Sequence, residues 1–378
     1  MGLPARRNEK PMQTQIEESR SLTVAALIIA VVTVLAALYL ARSLFIPITL
    51  ACVLALVLAP IVRLLGRLGL PRALASGAVV VAAVALVTAI LVRLSAPAAE
   101  WFARLPEAMT RLRYTFSEVV GALQNMKEFT EDMARLSPGQ GGGETVMQGP
   151  DLTQIFLTNT GQLLAMIVIT VVLLFFLLAN GYLFLLKTVH MLPTFGEKKR
   201  AVEIGRDLQA EVSRYLLTIT AINIGLGCAT AAAMAALGLP DPLLWGVMAA
   251  TLNFIPYVGA ILTGSAILLA AMLTFSTPLA ALYPPLAFAG LTALEGNLVT
   301  PALVGRRLTL NPVIVFTCLL FWGWLWGAAG LLLAVPLLVV FKILCDHIQP
   351  LHVMGEYLSS LPPETEAAPV PNQPTGTN

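Results

Sequence analysis

The sequence is poor in charged residues. Only 12% of its 378 residues are Asp, Glu, Lys or Arg, whereas 57% are hydrophobic, and the mean hydropathy is +0.82. Soluble domains carry about 25% charged residues, so this composition excludes an ordinary soluble domain and indicates an integral membrane protein. No charged residue at all separates Asp241 from Glu295.

Cysteine, histidine and nucleotide-binding motifs are also scarce. The four cysteines show no C-x-x-C spacing and are interpreted as small buried apolar residues. The stretch "CDHIQPLH" gathers two of the three histidines, but Pro350 interrupts it, which favours a surface cluster over a metal site. Neither a G-x-x-x-x-G-K-S/T loop nor a three-glycine dinucleotide motif occurs, and "EKKR" is interpreted as charge near the inner leaflet. We predict no enzymatic activity, cofactor, metal site or nucleic-acid partner.

Long hydrophobic runs predict an all-α membrane protein with about six full spans. They lie at residues 22–41, 44–62, 73–95, 158–186, 215–237 and 279–301. The first run is long enough to cross a bilayer and is interpreted as an uncleaved anchor. The predicted organisation is a cytoplasmic segment (1–21), three transmembrane helices (22–95), an extracytoplasmic region (96–154), a core with broken helices (155–346) and a disordered proline-rich tail (347–378).

Lysine and arginine set the predicted orientation. When the N-terminus is placed in the cytoplasm, most of the 23 basic residues fall on the cytoplasmic side of the threaded spans. Both termini are therefore predicted to be cytoplasmic.

Residues 96–154 carry an amphipathic helical pattern. Its apolar positions recur every three or four residues: Leu105, Met109, Leu112, Phe116, Val119, Leu123 and Met126. The pattern is typical of a helix that lies on the outer leaflet or on its own protein, and it also suits a seam for self-association. Periodicity alone leaves both interpretations open.

Two apolar segments are interrupted near their middle. One begins at Asp241–Pro242 and is broken within "NFIPYVG", at Asn253, Pro256 and Gly259; the other begins at Asn311 and is broken within "FWGWLWGAAG". The second break carries three glycines: Gly323, Gly327 and Gly330. Each first arm is too short to cross about 30 Å of hydrocarbon. The number of crossings then requires two re-entrant hairpins of opposite orientation, with tips that face a substrate path. The alternative is a proline kink between packed helices.

Polar residues follow the first broken segment. Glu295 is the one acidic residue predicted to lie well inside the membrane, with Asn297, Thr300 and Pro301 close behind it. An intramembrane carboxylate suggests a functional group that binds a proton; alternatively, Glu295 pairs with Arg306 or Arg307. Upstream, Gly225, Ala229 and Ala233 predict a small-residue face for close helix packing.

Three motifs in order, "NFIPYVGA", "LEGNLVTPALVGRRLTLNP" and "GAAGLLLAVPLLVVFKIL", resemble the autoinducer-2 exporter family of bacteria. The resemblance implies a transporter of the inner membrane, assembled as a homo-oligomer such as a pentamer, which contacts lipid and exports a small polar solute. It places Pro256, Gly259, Glu295, Asn297 and Pro301 in the pathway. Some members are assigned sodium or lithium exchange for protons, so H⁺ or Na⁺ is a second expected ligand. Ala260 departs from the pattern, which commonly has proline there. A membrane scaffold is the alternative of another class.

Overall fold

Apolar runs of the sequence become long helices in the computed structural model, which describes residues 12–131, 152–191, 194–304, 310–347 and 351–358. The helices are α1 (Met12–Leu40), α2 (Arg42–Arg67), α3 (Arg72–Glu131), α4 (Leu152–Met191), α5 (Phe195–Ala236), α6 (Pro242–Leu252), α7 (Val258–Thr274), α8 (Pro278–Leu294), α9 (Thr300–Val304), α10 (Pro312–His347) and α11 (His352–Leu358). A short π-helical turn, Glu295–Val299, joins α8 to α9. No β-sheet occurs in these ranges.

Seven described helices are long and apolar enough to cross a membrane. Six of them coincide with the predicted spans: Thr23–Leu40, Arg42–Arg67, Arg72–Leu112, Leu163–Gly181, Gly205–Ala236 and Pro278–Val304. The seventh, Pro312–His347, is folded back on itself, as described below. The prediction of an all-α membrane protein with several spans is therefore confirmed.

Helix α3 is longer than the sequence predicts. It runs for 60 residues without a break, so the predicted division between residues 95 and 96 falls inside it. Pro97 and Pro106 lie within this helix; a proline removes one backbone hydrogen bond but need not end a helix that its neighbours support. Ala108 of this extension is buried, whereas Leu105 and Met109 of the predicted apolar seam are exposed. Leu112 is half-buried, and the side chains of the seam residues after it lie outside the described part of the chain.

The helices pack into one bundle whose two ends can be distinguished by its first three members. We call the end where α1 finishes, at Leu40, the far end, and the end where α2 finishes and α3 begins the near end. Ala51, Val80 and Leu174 form an apolar contact between α2, α3 and α4. Val212, Leu216 and Ile343 join α5 to α10. The second of these contacts includes one arm of the second interrupted segment.

Candidate functional site

The first interrupted segment is a helical hairpin formed by α6 and α7, with residues 253–257 as its tip. Leu252 accepts a hydrogen bond from the amide of Ile255 (2.8 Å), and Ile255 accepts one from the amide of Gly259 (2.8 Å). Tyr257 adopts a φ of 64°, which is uncommon for a residue with a side chain. A Cβ atom at Gly259 would fall on the carbonyl group of Leu252. The tip therefore requires glycine at position 259.

The second interrupted segment is a hairpin within α10. The break lies at Gly327, whose φ of 62° and ψ of −140° are not helical. The thiol of Cys318 lies 3.5 Å from the carbonyl oxygen of Ala334, and a Cβ at Gly323 would lie 2.9 Å from Leu331. Cys318 therefore pairs with Ala334, and Gly323, further along the first arm, pairs with the earlier residue Leu331. The two arms are antiparallel. A Cβ at Gly330 would fall on the carbonyl of Trp322, which repeats the closure seen at Gly259.

The two hairpins open toward opposite ends of the bundle. At the open end of the first, Asp241 accepts a hydrogen bond from Trp101 Nε1 (3.0 Å) on the far part of α3. At the tip of the second, Trp326 Nε1 donates to the carbonyl of Leu38 (3.2 Å), close to where α1 finishes. The open end of the second hairpin lies at the near end, where His347 approaches Glu211 of α5 (3.9 Å).

The tip of the first hairpin packs against the second hairpin. Ile255 belongs to a buried apolar cluster with Val315, Leu319, Ala334 and Leu338 of α10, and Leu358 of α11 packs on the same cluster. Hairpins that open at opposite ends therefore meet inside the bundle, tip against arms.

A pair of amide side chains lies beside the first tip. Asn253 Nδ2 donates to Asn223 Oδ1 of α5 (2.9 Å). Asn223 is only 2% exposed, and its own Nδ2 has no hydrogen-bond partner among the described residues. Asn253 was among the predicted site residues, whereas Asn223 was missed. Its signal in the sequence was an amide within the run "AINIGLGCA", which is otherwise apolar.

Small residues hold α5 against α6 just beyond the amide pair. A Cβ at Gly227 would lie 2.7 Å from the carbonyl oxygen of Gly246, and Ala231 and Ala250 line the same crossing. Gly225, by contrast, has open space around it. Of the predicted small-residue face, Ala233 packs against the cluster around Trp245 and Ile267, whereas Gly225 was wrongly included. The closest crossing uses Gly227, one turn beyond Asn223, instead.

The π-helical turn carries the predicted carboxylate. Thr300 Oγ1 donates to Glu295 Oε1, and the amide of Thr300 donates to the carbonyl of Glu295, five residues earlier. Pro301 has no backbone N–H, so a regular α-helical ladder cannot continue through it. Single π-helical turns of this kind are frequent at functional sites. Asn297 is exposed and bonds locally, to the carbonyl of Ala293 (2.8 Å).

Helix register places Glu295 near the level of the amide pair. Val304 packs on the cluster formed by Val212 and Leu216, and α8–α9 run antiparallel to α5. Counting back from Val304 at the same rise per residue brings Glu295 to the level of residues 221–225 of α5. The side chains of Arg306 and Arg307 lie outside the described residues, so the alternative of an ion pair with Glu295 stays a prediction.

A short C-terminal helix closes the near end of the second hairpin. The amide of Asn311 donates to the carbonyl of Leu358 (3.1 Å), and Asn311 Oδ1 accepts from the amide of Val313 (2.9 Å). Asn311 was predicted in the pathway, and the structure gives it a local role, as the residue that caps the start of α10. Buried Lys342 pairs with Asp346 (2.7 Å), and Gly355 of α11 lies against the Asp346 carboxylate.

The remaining predicted residues divide between the two hairpins. Pro256 and Gly259 lie at the first tip, while Gly323, Gly327 and Gly330 form the second. Among the residues that the structure describes, no three His, Cys, Asp or Glu side chains are grouped as metal ligands.

Comparison with known proteins identifies the family. Residues 27–349 match the sequence profile described as "AI-2E family transporter". "AI-2 transport protein TqsA" of Escherichia coli K12 is 37% identical over 173 residues, which are 44% of this chain and 50% of that protein. "Putative transport protein YrrI" of Bacillus subtilis is 32% identical over 182 residues, 48% of this chain and 51% of that protein.

A third relative matches over nearly its whole length. "Putative transport protein" of Haemophilus influenzae is 27% identical over 342 residues, 88% of this chain and 94% of that protein. The matches with the E. coli and B. subtilis relatives, by contrast, span only about half the length of those proteins. Because the family profile covers most of the chain, this protein belongs to the AI-2E transporter family of bacterial membrane proteins.

Proposed function

We propose that this protein is a secondary transporter that exports a small polar solute, with autoinducer-2 as the first solute to test. The family and the E. coli relative, which is named an AI-2 transport protein, support this choice. The two antiparallel hairpins that open at opposite ends of the bundle and meet inside it are the observation that carries the proposal.

The length of α6 explains why these hairpins are suited to transport. Its 11 residues rise only about 16 Å, whereas the hydrocarbon core is about 30 Å thick. In a bilayer the first tip would therefore lie at membrane depth. Backbone groups freed at such a tip persist only where protein or a water-filled cavity surrounds them. Broken helices in two corresponding positions are typical of transporter binding sites.

Alternating access would follow from small movements of the two hairpins. The first tip shares one buried cluster, around Ile255, with residues of both arms of the second hairpin. Movement of the first hairpin opens a route from the far end, and movement of the second opens one from the near end. A hairpin that is re-entrant in the bilayer can make such a movement without carrying a whole span across.

Glu295 belongs to the proposed pathway as its titratable group. Its carboxylate lies on an irregular turn near the level of the Asn223–Asn253 pair, and Thr300 holds one of its oxygens. Ionisable groups within membrane spans commonly take part in binding or proton transfer. The proposed setting is the inner membrane, with cytoplasmic termini and a homo-oligomeric assembly.

Flux measurements on the purified chain test this function. Proteoliposomes loaded with autoinducer-2 should release it faster than protein-free liposomes, and a Gly259→Leu variant should release it at the protein-free rate. The control is Gly264→Ala in the same helix, where a Cβ would make only an ordinary 3.6 Å contact with Phe288. Equal release from wild-type and protein-free vesicles, for autoinducer-2 and for a panel of small polar metabolites, would contradict transport by this chain alone.

A further inference from the structure

Asn223 is a buried amide with an unused donor. Its Oδ1 accepts from Asn253 (2.9 Å), while its Nδ2 has no partner within the part of the chain that the structure describes. Burying an amide donor without a hydrogen bond is unfavourable, and such groups in native proteins commonly have a reason. Within α5 the contrast is clear, because Thr220 and Thr230 each bond a carbonyl of their own helix.

We infer that Asn223 binds the transported solute, and that its Nδ2 donates a hydrogen bond to a hydroxyl or carbonyl oxygen of a neutral, hydroxylated small molecule. This inference rests on the proposed transport function and adds a residue and a substrate class to it. Neither the family assignment nor the names of the relatives assigns a role to this position.

The location of the pair couples solute binding to the first hairpin. Asn253 ends α6 and begins the tip, so movement of the tip separates its amide from Asn223. The rest of α6 stays against α5 because Gly227 and Gly246 bring the two helices into close contact, so the tip moves relative to a fixed crossing. A solute hydroxyl can replace Asn253 as the partner of Asn223 and leave both amides bonded. The amide pair is therefore the closed, solute-free arrangement of the site.

The chemistry of the pair selects against charged solutes. Two amides supply donors and acceptors but no net charge, and a buried ion without a counter-charge is strongly disfavoured. The carboxylate near the same level, Glu295, further disfavours anions. Hydroxyl groups, which donate and accept, complement both amides. The site therefore favours a neutral polyhydroxylated solute over an anion.

The competing explanation is that the pair only joins two helices. Loss of a hydrogen bond between membrane helices would lower stability without changing solute preference. Selectivity therefore separates the two explanations. The reason is that a site built to bond a hydroxyl group discriminates against an analogue that lacks it.

The experiment compares export of autoinducer-2 with export of its single-deoxy analogues in proteoliposomes. Wild type should show a KM about tenfold lower for autoinducer-2 than for at least one analogue, as expected for the loss of one hydrogen bond. Asn223→Leu should bring the two KM values within about twofold. Asn223→Thr is the variant expected to disturb folding least, because threonines of α5 donate to carbonyls of their own helix. It should lose the same discrimination between the two solutes.

Thr230→Val is the matched control, since Thr230 is equally buried on α5 but bonds the carbonyl of Leu226. It should keep the wild-type KM ratio. Three results would overturn the role of Asn223 while leaving transport intact. They are wild-type transport that does not discriminate between the solutes, discrimination that both Asn223 variants keep, and discrimination that Thr230→Val loses to the same extent. Absence of wild-type flux would instead reject the proposed function itself.

Discussion

The two hairpins share one closure but differ in chemistry. In each, a glycine after the turn lies against a carbonyl of the first arm: Gly259 against Leu252 and Gly330 against Trp322. The first tip adds an amide that bonds a buried amide of α5. The second tip is aromatic, with Trp322 and Trp326 at 4.7 Å between ring centroids, and it is anchored to α1 through Trp326. Glycine thus sets the hairpin geometry, while the neighbouring side chains make one tip polar and the other apolar.

Removing the shared closure should have the largest effect. Gly259→Ala and Gly330→Ala each place a methyl group on a backbone carbonyl that has no freedom to withdraw. We expect each to lower the free energy of unfolding by about 3 kcal/mol, the upper end for overpacking, and to abolish export. Thermal unfolding in detergent and vesicle flux measure both effects.

Gly290→Ala, where a Cβ meets open space, is the control and should leave stability and flux near wild type. Full stability of the Gly259→Ala variant would show that the two tips are not held closed in the same way.

A second change tests what is specific to the first hairpin, its attachment to α5. Gly227→Ala would place a Cβ 2.7 Å from the carbonyl oxygen of Gly246 and the same distance from Ala250 Cβ. We expect a loss of about 2 kcal/mol in unfolding free energy. Gly225→Ala, two residues away with no neighbour within 4 Å, should be neutral or slightly stabilising, because alanine favours helix. Equal melting temperatures for the two variants would argue against the close crossing.

The fold could be predicted from the sequence better than the candidate site. Long apolar runs and helix-breaking pairs such as Asn311–Pro312 report directly on spans and interruptions, because length and backbone chemistry decide both. Asn223 could not be assigned, since its importance comes from a partner 30 residues away. The choice between Gly225 and Gly227 depended on which face of α5 meets α6, and the part of α5 from Tyr215 to Ala236 has no charged residue to reveal this. Periodicity likewise could not show that α3 continues unbroken through Pro97.

A third change tests the open end of the second hairpin. Lys342 is 3% exposed and pairs with the half-exposed Asp346. Asp346→Asn would leave the buried ammonium without its carboxylate, and we expect a loss of about 1 kcal/mol, reduced by water around the exposed partner. Lys342→Met fills the same space with apolar atoms and should be close to neutral. Thermal unfolding of both variants checks the asymmetry, and greater damage from Lys342→Met would show that the charge itself is required.

The smallest stability effect is expected at Glu295. Gln keeps an oxygen that can accept from Thr300, so Glu295→Gln should change the unfolding free energy by less than about 0.5 kcal/mol. If Glu295 is the titratable group of the pathway, this variant should also lose the dependence of export on a pH gradient. Flux measured with and without an imposed gradient gives the result. A stable Glu295→Gln protein with wild-type pH dependence would remove Glu295 from the coupling step.

Thiol labelling in intact cells tests most directly whether both hairpins are re-entrant and enter the membrane from opposite sides. In a variant without its four native cysteines, single cysteines are placed at exposed Ser276 after the first hairpin, at Val353 after the second and at Gly196 in the first turn of α5. If the hairpins enter from opposite sides, a membrane-impermeant thiol reagent labels position 276 from outside, and labels 196 and 353 only after the cells are opened. Labelling of position 276 only in opened cells, or of position 353 from outside, would contradict this arrangement.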